Sequence, residues 1–304
     1  MPSQTKFLNT IIKPRQEKLK DALVIQDEGN SVWTKTSDGK ALSHGCLACK
    51  TGTWMCIYVG RKCNADCGYC PQGNAEDKNA RRDDEQSTRY MPINILKYLI
   101  SKQAEKVKGI SYSGGEPLLY MPKIIDIAKY VSIHNPTAYQ WLYTNGLLLN
   151  EENLRLLKDL NIQEIRVHLG ATNFSDEVID NMKLAVRYIP LVNVETPAVP
   201  SAKEYLLEKG KIHILQEIGV NQINLPELMV GDEFSNQYIG DNDVYEYCSK
   251  FFKVISPTYS REITYDIMEY TIQNKLNIII NDCSNDAKLW QQYMCKKNRL
   301  QLQC

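Results

Sequence analysis

No stretch of the 304-residue chain is long and apolar enough to cross a bilayer, and its opening "MPSQTKFLNTIIKPRQEK" has no apolar signal-peptide core. Net charge is absent as well: 36 Lys and Arg balance 36 Asp and Glu. That balance argues against wholesale binding to a nucleic-acid backbone or an anionic membrane and leaves room only for a local basic groove. Internal repeats and low-complexity tracts are lacking too, which removes solenoids and disordered linkers from consideration. A cytoplasmic protein with neither a membrane nor a nucleic acid among its partners is the expectation. Hydrophobic residues make up 43% and charged residues 24%, ordinary for a globular chain large enough to bury a sizeable core.

What the chain has in excess is cysteine, ten in all, six of them between Cys46 and Cys70. In a reducing compartment such residues serve as metal ligands or buried thiols more readily than as disulfides. Within "GRKCNADCGYCPQG" (60–73) three of them, Cys63, Cys67 and Cys70, follow a C-x3-C-x2-C spacing. Zinc and complete iron–sulfur sites take four protein ligands. Three on one tight loop point to a metal centre with one position open.

A strand–helix alternation begins near residue 54. Strands are expected at "WMCIYVG", "GISYSGG", "AYQWLYTNG", "EIRVHLG", "PLVNVETPAVP" and "NQINLPEL". Helices are expected at "PINILKYLISKQAEKV", "MPKIIDIAKYVSIH", "ENLRLLKDL", "DEVIDNMKLAVRYI" and "KEYLLEKGKIHILQEIG". Six β–α units are too few for a closed eight-unit barrel of about 250 residues. The fold class is therefore α/β, a partial (β/α)6 TIM-like barrel with an N-terminal extension (1–45), a core with a cysteine-bearing lead-in (46–230) and a C-terminal α/β addition (231–304). In that last part "NDVYEYCSKFFKVI" and "YSREITYDIMEYTIQNKL" read as helices and "NIIIND" as a strand.

Ligands of such sheets bind at the carboxyl ends of the strands. There fall the three cysteines after the first strand, "SGGEP" (113–117) after the second, "YTNG" (143–146) after the third, "HLGAT" after the fourth and "ETPAVP" (195–200) after the fifth. The cysteine spacing, with Tyr69 inside it and "GGEP" after the next strand, resembles the radical S-adenosylmethionine (SAM) enzymes. The resemblance implies that Cys63, Cys67 and Cys70 hold three irons of a [4Fe–4S] cluster whose fourth iron is chelated by SAM, which would explain the missing ligand. It also implies that Tyr69 lies near the adenine, and that Glu116, Thr144 and Asn145 lie near the methionine and ribose ends. Gly114, Gly115 and Pro117 belong to the same pocket; the glycines let backbone approach a ligand closely and offer amide and carbonyl groups to it. His168 either faces this mouth or is a hydrogen-bonded structural residue. Glu195 and Glu227 are either substrate contacts or solvated surface positions.

A zinc ribbon competes for some of the same residues. Cys46, Cys49, Cys67 and Cys70 form C-x2-C-x17-C-x2-C, inside the spacing of zinc sites. That reading leaves Cys63 unexplained, makes "SGGEP" a coincidence, and needs only about 30–40 residues. Cys46 and Cys49, joined by Cys283 and by Cys295 or Cys56, could instead ligate a second iron–sulfur cluster, or they are free thiols. Cys56 reads as a core thiol, Cys248 as a buried one, Cys304 as terminal and uninformative, and "KKNR" (296–299) as a charged tail.

A narrower resemblance, to a branch related to pyruvate formate-lyase activating enzymes, rests on residues 45–71, "VETPAVP", "INLPEL" and "NDCSNDAKLWQQ". The chain departs from that branch in several loop residues, so no substrate is carried over. The radical SAM resemblance implies reductive cleavage of SAM to a 5′-deoxyadenosyl radical that takes hydrogen from a peptide, a protein or a small molecule. The cofactors would be the cluster, SAM and, on one reading, a second cluster; the electron donor would be of the flavodoxin or ferredoxin kind. A glycyl-radical-enzyme activase is one alternative. A non-catalytic iron–sulfur electron carrier or a zinc-binding module is another, although a carrier needs no SAM pocket. No cobalamin-binding stretch is apparent.

Overall fold

The computed structural model describes residues 4–70, 91–230, 238–240, 242–248 and 253–300. Residues 71–73 of the cysteine-loop stretch, the Cys248 side chain and Cys304 lie outside the described residues. Eleven strands are described: β1 (Leu23–Gln26), β2 (Ser31–Thr34), β3 (Trp54–Tyr58), β4 (Gly109–Ser113), β5 (Tyr139–Thr144), β6 (Glu164–Val167), β7 (Leu191–Glu195), β8 (Gln222–Pro226), β9 (Val244–Cys248), β10 (Lys253–Pro257) and β11 (Ile279–Cys283). The chain divides into two compact units. One comprises Leu42–Cys67, Gln72–Asn193 and Gln291–Cys304; the other comprises Met1–Ala41, Gly68–Pro71 and Val194–Trp290. The architecture is α/β with mostly parallel pairing, and all six strands expected between residues 54 and 226 are present. No helix of the described residues is long and apolar enough to cross a membrane.

In the first unit β3, β4, β5 and β6 pair in parallel. Their side chains are buried on both faces, as parallel strands require: Met55, Ile57, Ile110, Tyr112, Trp141, Leu142, Ile165 and Val167 are all in the core. The register places Tyr58 beside Ser113 and Thr144 beside Val167, so the loops that follow these strands leave from one edge. The connecting helices start where their capping chemistry sits. Pro92 precedes Ile93–Lys102, the Asn150 side chain accepts the Asn153 amide before Glu151–Asp159, and the Ser175 side chain accepts the Val178 amide before Asp176–Ala185. Helix Met121–His134 coincides with the expected segment.

The cysteine-bearing lead-in is a short helix, His44–Lys50, capped by Ser43. It packs on the amino ends of the strands. A Cβ added to Gly109, the first residue of β4, would fall 2.7 Å from the Ala48 side chain, and the Thr53 amide donates to Ala48 O at 2.9 Å.

In the second unit β8 pairs in parallel with β11 and with the end of β7, where Val194 lies beside Ile223. The N-terminal region, expected only as an extension, supplies the hairpin β1–β2, and β2 pairs antiparallel with β11. The expected helix at "NDVYEYCSKFFKVI" is wrong: β9 and β10 pair there as an antiparallel hairpin. The reason is visible in Tyr245 and Tyr247, buried on either side of exposed Glu246, a period of two that belongs to a strand. The single helix expected over 203–219 is interrupted at Gly210, whose φ of +64° ends one helical run before Lys211–Glu217 begins.

Helix Thr258–Gln273 is tied down by Arg261, which is buried and reaches Asp282 at 3.3 Å and also Asp286; Tyr265 donates its hydroxyl to the same Asp282. Removing one partner of a buried ion pair strands the other charge, at about 3–5 kcal/mol. Arg261→Met is therefore expected to lower the urea midpoint by an amount equivalent to several kcal/mol; a midpoint unchanged from the parent chain would show the pair to be dispensable.

Candidate active site

The loop after β3 and the loop after β4 meet backbone to backbone. Gly115 donates its amide to Gly60 O at 2.8 Å and Glu116 donates its amide to Lys62 O at 2.7 Å. A Cβ on Gly114 would stand 2.4 Å from Gly60 O, and one on Gly115 would stand 2.3 Å from the Arg61 and Lys62 carbonyls. These glycines thus serve the approach of one loop to the other. The Gly115 amide, expected to be offered to a ligand, is already committed to the cysteine loop. Tyr120 completes the support: its ring fills the space over Gly60, and its hydroxyl accepts the Lys62 amide at 2.7 Å.

Glu116 joins a third loop to these two. It is fully buried; its Oε1 accepts the Leu118 amide at 3.0 Å and the Thr144 hydroxyl at 2.8 Å, and its Oε2 accepts the Asn145 amide at 2.8 Å. Pro117 opens the turn Pro117–Tyr120 that Glu116 caps. Asn145 then reaches the cysteine loop, donating through Nδ2 to Asn64 Oδ1 at 2.6 Å and to Cys63 Sγ at 3.9 Å. Cys63 Sγ also accepts the Ala65 amide at 3.4 Å. His168 donates its main-chain amide to Thr144 O at 2.8 Å, and burial lowers its imidazole pKa to about 4, so the ring is neutral at physiological pH.

Cys63, Cys67 and Cys70 are half-buried. Three soft sulfur donors on one irregular segment, with amide N–H groups already directed at Cys63, fit the ligand chemistry of an iron–sulfur centre. Among the described residues no three His, Cys, Asp or Glu side chains are gathered tightly enough to hold a metal ion. Tyr69 packs edge-on against Tyr238, with ring centroids 5.3 Å apart.

Cys46 is buried on the helix at the amino ends of the strands, the edge opposite to the Cys63 loop, with Cys49 half-buried on the same helix. Arg166 Nη2 lies 3.3 Å from Cys46 Sγ. Arg166 is also paired with Glu164 at 2.7 Å and lies over the Trp141 ring at 5.0 Å. Cys283 closes β11 at its carboxyl end, where Asn281 Nδ2 donates to its sulfur at 3.2 Å. Cys295 is buried and Cys56 half-buried.

Of the two strand-end glutamates, Glu195 accepts from Asn224 Nδ2 at 3.3 Å. Glu227 is no surface residue: it is buried, accepts from Ser256, Tyr245 and the Asn285 amide, and has its pKa raised by that burial.

Asn64, Tyr120 and the Glu164–Arg166 pair escaped the sequence reading. Charges at alternate positions of the apolar strand "EIRV" were the available signal for the pair; nothing in the sequence singles out Asn64.

Residues 57–194 match the model of the radical SAM superfamily, whose members are enzymes. A Methanocaldococcus jannaschii protein named as a candidate glycyl-radical enzyme activating enzyme is 26% identical over 270 residues, covering 82% of this chain and 70% of that one. A Methanococcus maripaludis protein named as a probable GTP 3′,8-cyclase is 34% identical over 115 residues, 37% of this chain and 35% of that one. Among solved structures, Streptococcus suis SuiB bound to S-adenosylmethionine has a TM-score of 0.53 at 14% identity, over 92% of this chain and 61% of that chain, a likeness of fold.

Burial raises the Glu116 carboxyl from its ordinary 4.5 to about 7, against the three donors that favour the charged form. Between those values the folded chain holds a proton that the unfolded chain has lost, so stability falls as pH rises from 4.5 to about 7. Glu116→Gln is expected to flatten that slope. Since its amide would face backbone N–H donors, it should also cost about 1–3 kcal/mol. Urea unfolding followed across the pH range checks both.

Proposed function

We propose that this chain is a SAM-cleaving radical enzyme in which Cys63, Cys67 and Cys70 hold three irons of a [4Fe–4S] cluster and leave the fourth for SAM. The observation that carries the reading is the junction at Glu116. One buried carboxylate ties "SGGEP" to the Thr144–Asn145 turn, and that turn reaches Cys63. A zinc ribbon or an electron carrier has no use for such a junction. Held by Cys63, Cys67 and Cys70, such a cluster would supply the electron for reductive cleavage of SAM, the chemistry by which 5′-deoxyadenosine is formed and a substrate loses hydrogen.

The chain's own residues supply position and shelter. The Gly114–Gly115 contact with Gly60 and the Tyr120 ring fix the cysteine loop, and Glu116 fixes the turn facing it. Tyr69, by the radical SAM resemblance, lies near the adenine of the cosubstrate. The electron comes from a donor of the flavodoxin or ferredoxin class. The substrate is a peptide, a protein or a small molecule, and the name of the 26%-identical relative favours a glycyl-radical enzyme as a second reading.

Cys46 is engaged by Arg166, which supports a single cluster in preference to an auxiliary one built with Cys49 and Cys283. Anaerobic reconstitution is expected to give about four irons per chain and formation of 5′-deoxyadenosine. The triple change Cys63→Ala, Cys67→Ala, Cys70→Ala should abolish both. Persistent 5′-deoxyadenosine in that variant would refute the assignment, and about eight irons in the parent would restore the second cluster.

A further inference from the structure

We infer that Asn145 is a positioning residue for the cluster ligand Cys63, setting the potential at which the centre accepts an electron, and is not primarily a SAM contact. The inference rests on the proposed function and adds a role for one side chain within it. The orientation of the Asn145 amide is fixed by its partners. Its Oδ1 accepts the Leu147 amide at 3.0 Å, so the NH2 end is the one turned toward Cys63 Sγ and Asn64 Oδ1. The backbone beneath it is equally fixed. The Asn145 amide is held by Glu116, the Gly146 amide donates to Thr144 Oγ1 at 3.1 Å, and Gly146 itself adopts φ +86° with Val167 and Val178 packed against it. Asn145 is 4% exposed, so its donor works in a poorly solvated setting where a hydrogen bond to sulfur carries more weight than in water.

An N–H directed at a thiolate ligand withdraws negative charge from the sulfur. The reduced, more negative state of the centre is then easier to reach, and the reduction potential rises. Cys63 receives this from two directions, the Asn145 side chain and the Ala65 amide. Asn64 Oδ1 takes the other hydrogen of the same Asn145 NH2 group at 2.6 Å, and this much shorter contact holds the nitrogen back from the sulfur at 3.9 Å.

The test is a redox titration of the reconstituted chain followed by electron paramagnetic resonance, carried out without SAM, together with SAM binding by equilibrium dialysis. Asn145→Ala removes the donor, and Asn145→Asp puts a carboxylate oxygen beside the thiolate. Both are expected to lower the midpoint potential, the aspartate more, with SAM affinity within a few-fold of the parent. Asn64→Ala frees the NH2 group for Cys63 and is expected to leave the potential at or above the parent value, which keeps the idea testable if the Asn145 variants do not fold. An unchanged potential with a large loss of SAM affinity in the Asn145 variants, or a lowered potential in Asn64→Ala, would overturn the inference. A parent chain that assembles no cubane cluster would instead overturn the proposed function and this inference with it.

Discussion

A carboxylate removed from water is costly unless donors surround it, and Glu116 is fully enclosed with three of them, drawn from its own turn and from the end of β5. Because those donors belong to two different loops, satisfying the charge and aligning the loops are one event. Any drift of the Thr144–Asn145 turn would strand a buried oxygen. The geometry beside Cys63 follows from this electrostatic necessity.

Polar residues on the interior faces of the strands form a second theme. On β6, Glu164 and Arg166 neutralise each other, and Asn193 Nδ2 adds a donor to the Glu164 carboxylate at 2.9 Å. In the second unit Gln222 Nε2 and Asn281 Nδ2 both donate to Asn224 Oδ1, at 2.6 and 2.8 Å. Such chains of amides fix strand order with a directional precision that aliphatic side chains lack, since each misaligned register leaves a buried donor or acceptor unmet. Lys288 belongs to the same economy. Burial pulls its pKa down while Glu227, Cys283, Glu195 and Asp282 push it up, and its ammonium donates to Glu227 O at 2.9 Å.

The six strands between residues 54 and 226 and most of their helices were legible because their periodicity and their turn residues agree: apolar runs of four to six residues end at Gly, Asn or Pro. The hairpin of β9 and β10 was missed although Tyr245 and Tyr247 alternate with Glu246, because so short an alternation carries little weight until the two strands pair. The cysteine loop and "SGGEP" were legible as motifs, whereas their mutual contact was hidden. Gly114 and Gly115 look like ligand-binding glycines in one dimension and turn out to face the carbonyls of residues 60–62. Asn64 carries no signal at all, since its role exists only once Asn145 is beside it. Glu227 reads as a polar residue at a strand end and is buried because Ser256, Tyr245 and Asn285 converge on it from distant parts of the chain.

The contact between Gly60 and Gly114–Gly115 has a consequence for inheritance and for engineering. Where two loops touch through main-chain atoms, with less than 3 Å between a carbonyl and the place a Cβ would occupy, neither can vary in length or gain a side chain unless the other gives way. The three-cysteine loop is therefore not a portable cassette. Anyone grafting this loop onto another framework would have to carry the glycine pair, the glutamate and the asparagine turn along with the cysteines.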